Sequence, residues 1–380
     1  MKQFSLIFAL CAFLAAGPLH AAGTSASESE NDSQWLLSKA SAEEQTYNSS
    51  GRILADPDLE SYLNLIVKSL QTAAPQNNLS FRVRVIKDPC LNGFFLPNGA
   101  IYVTTGILAR LENEAQLAMI LAHEMAHGLR KHALTVLRAQ EKEQRAAPVA
   151  LRETFTHDAK GAEGAISPLE YEADRVGFGL VIKAGYDPHE GIDLFRHLEK
   201  VSADEDIHEP FMDQADSGLR LRMRHLEKVL RSQGVPSEPG MIKGRPFLEK
   251  TKGALLENVR LELQLGRIAA ARQEIMKYLR IVPRDAEAFY LLGEVSRLKG
   301  DDGSIRLARA LYEKAISLDP SYAEPYRALG FIQYKAGELT LAGKSFRWCL
   351  LLSPRRKDRA YIHAYLKKCG ETDAGGKKGS

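Results

Sequence analysis

Apolar positions recur at helical spacing over most of the chain and at strand spacing over only two short runs. Residues 58–72 place Leu59, Tyr62, Leu63, Ile66, Val67 and Leu70 on one stripe after an Asp56-Pro57 start, which predicts an amphipathic helix. A second helix is expected over 113–134, where Leu117, Ile120, Leu121 and Met125 keep the same period. A third is expected to start at Ser167-Pro168 and to continue through Val181 and Ile182. Residues 81–86 and 100–104 alternate like strands beside the turn-rich Asn92-Gly93 and Pro97-Asn98-Gly99. This half of the chain therefore reads as mostly helical with a small sheet.

The C-terminal third follows a longer period. Leu291-Leu292-Gly293, Gly300, Tyr312 and Asp319-Pro320 return as Ala328-Leu329-Gly330, Gly337, Phe346 and Ser353-Pro354. Pro283, Pro320 and Pro354 are spaced by 37 and 34 residues, and Gly266 to Gly300 is again 34, the tetratricopeptide period. About three helix-turn-helix repeats are expected, with the longer interval accommodated in the turn at Gly300 to Ser304. Such arrays bury a shared core between repeats and leave a face for peptides or proteins. Between the halves, Ser232 to Pro246 concentrates Pro and Gly and loses periodicity, as a linker does.

At the other end, Met1-Lys2, the apolar run Phe4 to Ala16, a Gly17-Pro18 break and Ala21-Ala22 have the form of a cleavable secretion signal. The run is shorter than the roughly 20 residues that span a bilayer. Leu19 and His20 make an imperfect cleavage site, so an uncleaved anchor stays open. The expected organisation is signal 1–22, a first domain 23–231, linker 232–248, a repeat domain 249–370 and a disordered tail 371–380.

With 44% hydrophobic and 26% charged residues the composition is that of a folded protein, neither disordered nor membrane-embedded. Net charge is +3, yet residues 250–380 carry 25 Lys/Arg against 15 Asp/Glu. A basic repeat region suits acidic partners or peripheral association with an anionic membrane, or is simply a solvated face. Its aromatics follow the repeat core, which argues against nucleic acid. Beyond the signal lie Cys90, Cys349 and Cys369, and an oxidising compartment favours a bridge between Cys349 and Cys369.

The chemistry concentrates at His123-Glu124-Met125-Ala126-His127. On a helix the two histidines share a face and can converge on one zinc ion, with Glu124 placed to act on a bound water. A half-buried His/Glu cluster needs partners, and zinc supplies them. Glu170, which opens Glu170-Tyr171-Glu172-Ala173-Asp174-Arg175-Val176-Gly177, is the best third ligand. Asp174, one turn on, would reach the other ring nitrogen of a ligand histidine, while Glu172 points elsewhere. An acidic helix N-terminus is also favourable dipole chemistry, so the residues alone leave Glu170 open.

LAHEMAH, the EYEADRVG run and Ala184-Gly185-Tyr186-Asp187-Pro188 resemble metallopeptidase family forty-eight, the zincins that include the CAAX prenyl proteases. The resemblance covers roughly residues 35 to 230. It implies a zincin-like α+β domain followed by an α-helical tetratricopeptide solenoid, mainly α overall, and one Zn2+ per chain held by His123, His127 and Glu170. Glu124 would be the catalytic base and Asp174 the residue orienting a ligand. Residues 92–103 resemble the family's edge strand, with Asn98, Gly99, Ala100 and Ile101 expected to pair with substrate. Signal, catalytic domain and repeats together resemble a periplasmic branch of that family. This implies unfolded or misassembled proteins as substrates, outer-membrane proteins and their assembly machinery among the partners, and a periplasmic or outer-membrane-associated location. A repeat-based chaperone with a latent metal site is the alternative. A His-Pro pair common in that branch is absent before Arg220 and Arg222, which leaves His208 only as a candidate regulator. Arg222 or Arg220 is the candidate oxyanion donor. His132, His157, His189, His197 and His225 are expected at the surface or in packing.

Overall fold

The computed structural model describes residues 26–146, 168–205, 215–233 and 240–370. The signal, His157, His208 and the tail all lie outside the described residues. The protein is mostly helical, with one three-stranded sheet and a helical repeat region at the C-terminus. It divides into two compact units between Ala254 and Leu255. No described helix is long and apolar enough to cross a membrane.

The first unit runs α1 (Ala26–Ser49), α2 (Pro57–Ala73), β1 (Arg82–Ile86), β2 (Gly93–Phe95), β3 (Ala100–Thr104), α3 (Thr105–Arg110), α4 (Glu114–Leu129), α5 (His132–Ala146), α6 (Pro168–Lys183), α7 (Pro188–Glu205), α8 (Ala215–Gln233) and the start of α9 (Gly244–Gln264). The Asp56 side chain caps α2 by accepting from the Leu59 N–H at 3.0 Å, with Pro57 in the first turn, and of the expected stripe Leu59, Leu63, Ile66, Val67 and Leu70 are buried while Tyr62 is half-buried. Sequence periodicity gave no element before residue 58. There α1 buries Leu36 and Ala40 in the cluster that covers one face of the sheet with Phe94, Tyr102 and Leu137. The main core covers the other face through Val83, Val85, Ile101 and Val103. Every residue of β3 is buried, because helices lie on both faces.

Strand order is β1-β3-β2, with β1 parallel and β2 antiparallel to β3. This corrects the expected substrate strand. Ala100 and Ile101 belong to the central strand, flanked on both sides. The Gly99 carbonyl accepts from the Arg82 N–H, the Asn98 carbonyl accepts from Arg82, and the Asn98 amide donates to Glu44. These groups are already used inside the fold. The turn at 97–99 makes a hairpin whose other strand, β2, is the edge. Thr104 N–H to Asn92 O and Leu96 N–H to Ala100 O show the even-numbered residues facing β3, so the backbone groups of Gly93 and Phe95 point outward.

The expected linker is only partly irregular. Met241 exchanges backbone hydrogen bonds with Gly185 and Asp187, Phe247 is fully buried, and α9 begins at Gly244. A further polar tie holds this region. The buried Glu114 carboxylate accepts from Tyr62 (2.6 Å), Tyr186 (2.8 Å) and Lys243 (2.6 Å).

The second unit comprises the rest of α9, then α10 (Ile268–Ile281), α11 (Ala286–Lys299), α12 (Asp302–Leu318), α13 (Ala323–Lys335), α14 (Leu339–Leu352) and α15 (Arg359–Lys368). The repeat is visible in its contacts. A Cβ on Gly293 would lie 2.4 Å from the Tyr312 ring, and one on Gly330 would lie 2.5 Å from Phe346, so each glycine admits an aromatic ring from the next helix. The longer interval is not in the turn. Gly300 ends α11 in a left-handed conformation and Asp301 caps α12 at once. It is α12 that is longer, 17 residues against 14 in α10 and α14. Cys349 and Cys369 share one buried cluster as free thiols, so the expected bridge is not formed. The Cys349 sulfur instead accepts from Arg356 at 2.8 Å, and burial pushes its thiol up to about 11.

Candidate metal centre

Helix α4 starts at Asn113, whose side chain accepts from the Gln116 N–H at 2.9 Å, and is buried along most of its length. Helix α6 packs closely against it. A Cβ on Gly177 would lie 2.8 Å from the His123 nitrogen, so only glycine lets the two backbones approach this far. Glu170 and Asp174, on the turns of α6 before Gly177, are thereby brought to the histidines of α4.

His123 Nε2 and His127 Nε2 stand 3.1 Å apart, and Glu170 oxygens lie 3.3 Å from the first and 3.5 Å from the second. These three residues form the one group of potential metal ligands of this kind among the described residues, with ligand atoms within 4.8 Å of one another. Two imidazoles and a carboxylate converging on one point suit a zinc ion with a further position open.

Each histidine is held from behind. His123 Nδ1 lies 2.9 Å from Asp174 Oδ1, and the fully buried Asp174 accepts both Arg222 Nε (2.8 Å) and Nη2 (2.7 Å). Arg222 also lies over the Phe195 ring, at 4.7 Å. Its guanidinium is thus committed to Asp174, whereas the exposed Arg220 pairs with Glu199.

His127 Nδ1 lies 3.0 Å from His132 Nδ1, and His132 Nε2 lies 3.3 Å from Glu172, which also accepts from Arg130 at 2.6 Å. With Nε2 turned to the shared point, His127 carries its proton on Nδ1 and donates it to His132. His132 then keeps its own proton on Nε2 and donates it to Glu172.

Sequence reasoning missed this second chain, placing His132 among surface or packing residues and Glu172 elsewhere. The expected continuous helix over 113–134 would turn a residue five positions after His127 away from it. Instead α4 ends at Leu129, Lys131 adopts φ 54°, and α5 begins at His132, which swings back and is 2% exposed. The run Gly128-Leu129-Arg130-Lys131, basic residues after a glycine, was the available sign of a helix end. His197 reaches the Arg110 carbonyl at 2.9 Å, and His225 packs on Tyr171.

Burial opposes charge on His123, but hydrogen bonds to Asp174 and Glu170 outweigh it and raise its pKa to about 10. His127 falls to about 3, from burial and then from the neighbouring His123. Burial also raises Glu124, to about 7, while Glu170 is held at about 2 because its contacts with the histidines overcome its burial. Burial works against ionisation of Asp174 as well, yet Arg222 holds its carboxyl well below the usual range. A buried carboxyl poised near neutrality beside a preformed ligand set is a group suited to taking up and releasing a proton.

Residues 55–163 match the profile described as Peptidase family M48, and residues 301–337 match a TPR repeat. The first match includes His123, Glu124 and His127 and ends before Glu170. The chain is 29% identical over 147 residues to the mitochondrial metalloendopeptidase OMA1 of Schizosaccharomyces pombe, an alignment covering 36% of this chain and 43% of that protein. It is 27% identical over 160 residues to the beta-barrel assembly-enhancing protease of Escherichia coli K12, covering 37% and 32% respectively. Over a shorter span of 71 residues it is 38% identical to the mitochondrial OMA1 metalloendopeptidase of Danio rerio, covering 19% of this chain and 15% of that one. The chain thus spans less than half the length of these relatives. Together the two profile matches make residues 55–163 similar to a peptidase family M48 domain and residues 301–337 similar to a tetratricopeptide repeat.

Proposed function

We propose that the chain is a zinc-dependent metalloendopeptidase whose metal is held by His123, His127 and Glu170. The observation that carries this is the convergence of those three ligand atoms next to the buried Glu124. When bound, zinc would polarise the scissile carbonyl and acidify its water. Glu124 takes the proton from the attacking water and delivers it to the leaving amine, a role for which its raised pKa suits it. Asp174 and His132 fix the tautomers of His123 and His127, and Arg222 holds Asp174 rather than standing free as an oxyanion donor. The outward backbone groups of Gly93 and Phe95 offer an extended peptide a strand to pair with, in place of Asn98 to Ile101.

For the biological role we infer protein quality control in the periplasm, acting on unfolded or misassembled outer-membrane proteins. Support comes from the similarity to a relative named beta-barrel assembly-enhancing protease and from the form of residues 1–22. The repeat unit adds helix faces of the kind that bind peptides or proteins. Zinc content and cleavage of an unfolded outer-membrane protein, measured for the wild type and Glu124→Gln, test the reading. About one zinc per chain in both, with cleavage only in the wild type, is the expected result. Zinc without cleavage in either protein would turn the reading toward a chaperone.

A further inference from the structure

Helices α10, α12 and α14, which close the successive repeats, share an inner face and differ on the outer one. At matching distances before Pro283, Pro320 and Pro354 the inner face carries Ile275, Tyr312 and Phe346, all fully buried. On the outer face Lys277 and Arg280 of α10 are followed by Lys314 and Ser317 of α12, residues at home in water. At the same two places α14 carries Trp348 and Leu351, 51% and 68% exposed. Leu341, two turns before Trp348, is exposed as well. Leu341, Lys344, Trp348 and Leu351 follow at intervals of three and four residues, so they form one line along the helix. A helix apolar on both sides is ordinarily enclosed on both, and here only the inner side is covered.

A second observation concerns charge. Residues 339–370 hold 8 Lys/Arg against a single acidic residue, Asp358. That carboxylate is already spent, because it accepts from Arg327 at 2.7 Å and from Arg356 at 2.5 Å. Lys344 and Arg347 are exposed on α14 beside Trp348, and Arg355 and Lys357 are exposed in the turn that follows Leu351. The Trp348 ring is backed by a stacked Tyr326, with centroids 6.1 Å apart.

We propose that the outer face of α14 and the turn after it dock on an anionic phospholipid membrane. Trp348 and Leu351 enter the headgroup region, and Lys344, Arg347 and Arg355 meet lipid phosphates. The interleaving of charge favours a membrane over a protein partner. The centre of a protein interface is depleted of charged residues, lysine included, whereas here cations stand between the apolar side chains. At a bilayer surface that arrangement is favourable, since indole and leucine reach the acyl boundary while long cationic side chains extend to the phosphates. The contact is attachment to a surface, because no described helix is long and apolar enough to cross a membrane. It does not depend on the peptidase reading, which concerns the first unit.

The test sediments the full chain with vesicles of phosphatidylcholine alone and of phosphatidylcholine with about a third phosphatidylglycerol. Binding should be confined to the anionic vesicles and weaken as salt rises from about 0.1 to 0.5 M. Lys344→Gln with Arg355→Gln should lower affinity by about fivefold for each cation removed. Trp348→Gln with Leu351→Ser should lower it by about tenfold or more, with the unfolding of the repeat unit unchanged because both residues face water. In a Trp35→Phe chain Trp348 is the remaining indole, so its emission should shift to the blue on anionic vesicles and stay in place on neutral ones. Equal binding to both vesicles, no binding to either, or an unshifted indole would overturn the proposal. Binding that survives the Trp348 and Leu351 changes would place the contact elsewhere, the apolar run at residues 4–16 included, and would overturn it too. Capture of polyglutamate without capture of vesicles would assign the face to an acidic protein instead.

Discussion

The two units of this protein are held together differently. In the repeat unit the defining contacts join residues close in sequence: Gly293 with Tyr312, Gly330 with Phe346, Asn258 with Glu274. In the first unit the candidate site is assembled across far longer separations, with His123 meeting Asp174 and Arg222, and His132 meeting Glu172. A local architecture can lose one contact and keep its neighbours, because each repeat depends mainly on the next. A site built from α4, α6 and α8 stands or falls with the packing of all three. Damage in the first unit should therefore spread, and damage in the second should stay where it is made.

The largest effect expected is on chemistry alone. Glu124→Gln should lower kcat/KM by about 10³- to 10⁴-fold, toward the upper end for a lost general base, with zinc content unchanged. If the mutant retains cleavage, Glu124 is not the base. The acid limb of log kcat/KM against pH should fall at or below about 7, since that is where burial puts Glu124 in the metal-free site, and a bound metal ion would favour the ionised form.

Next in size is Arg222→Ala, which leaves the fully buried Asp174 charge with His123 as its remaining partner. It should destabilise the first unit by about 3–5 kcal/mol while the repeat unit unfolds as before, read as two separate transitions in urea. Equal loss in both units would break the contrast between them.

His132→Phe removes the acceptor behind His127 and keeps much of the volume. Zinc affinity should drop about 10- to 100-fold, measured by competition with a chelator, and His132→Asn should recover part of it through its amide oxygen. Affinity should also fall with pH. Metal-free His123 holds its proton up to about 10. Below that value each unit of pH lowers affinity by up to about tenfold, because the metal must displace the proton. A flat profile between pH 6 and 8 would show that metal-free His123 does not hold a proton in that range.

The smallest and most confined effect is Gly330→Ala. Displacing the Phe346 ring should cost about 1–3 kcal/mol in the repeat unit and leave zinc affinity unchanged.

These differences also explain what could be read without coordinates. The helix over 57–73, the strand over 100–104 and the helix from Pro168 were legible because their periodicity and caps are local. The repeat register was legible for the same reason, although the longer interval proved to extend a helix. Four features were hidden: helix α1, β2 as the edge strand, the break at Lys131, and the free state of Cys349. A three-residue strand beginning in what reads as a turn carries little periodic signal, and its place in the sheet depends on what pairs beside it.

By itself the sequence determined the histidine pair on one helical face, with Glu124 between them, and the period that stacks the repeats. Both are properties of spacing along a helix, which needs no partner to be defined. Tertiary structure decided which carboxylates stand behind which imidazole and which strand edge is open. Those depend on how closely α6 approaches α4 at Gly177 and on how the chain turns at Lys131. They are set by the packing of segments distant in sequence, which spacing along the chain does not specify.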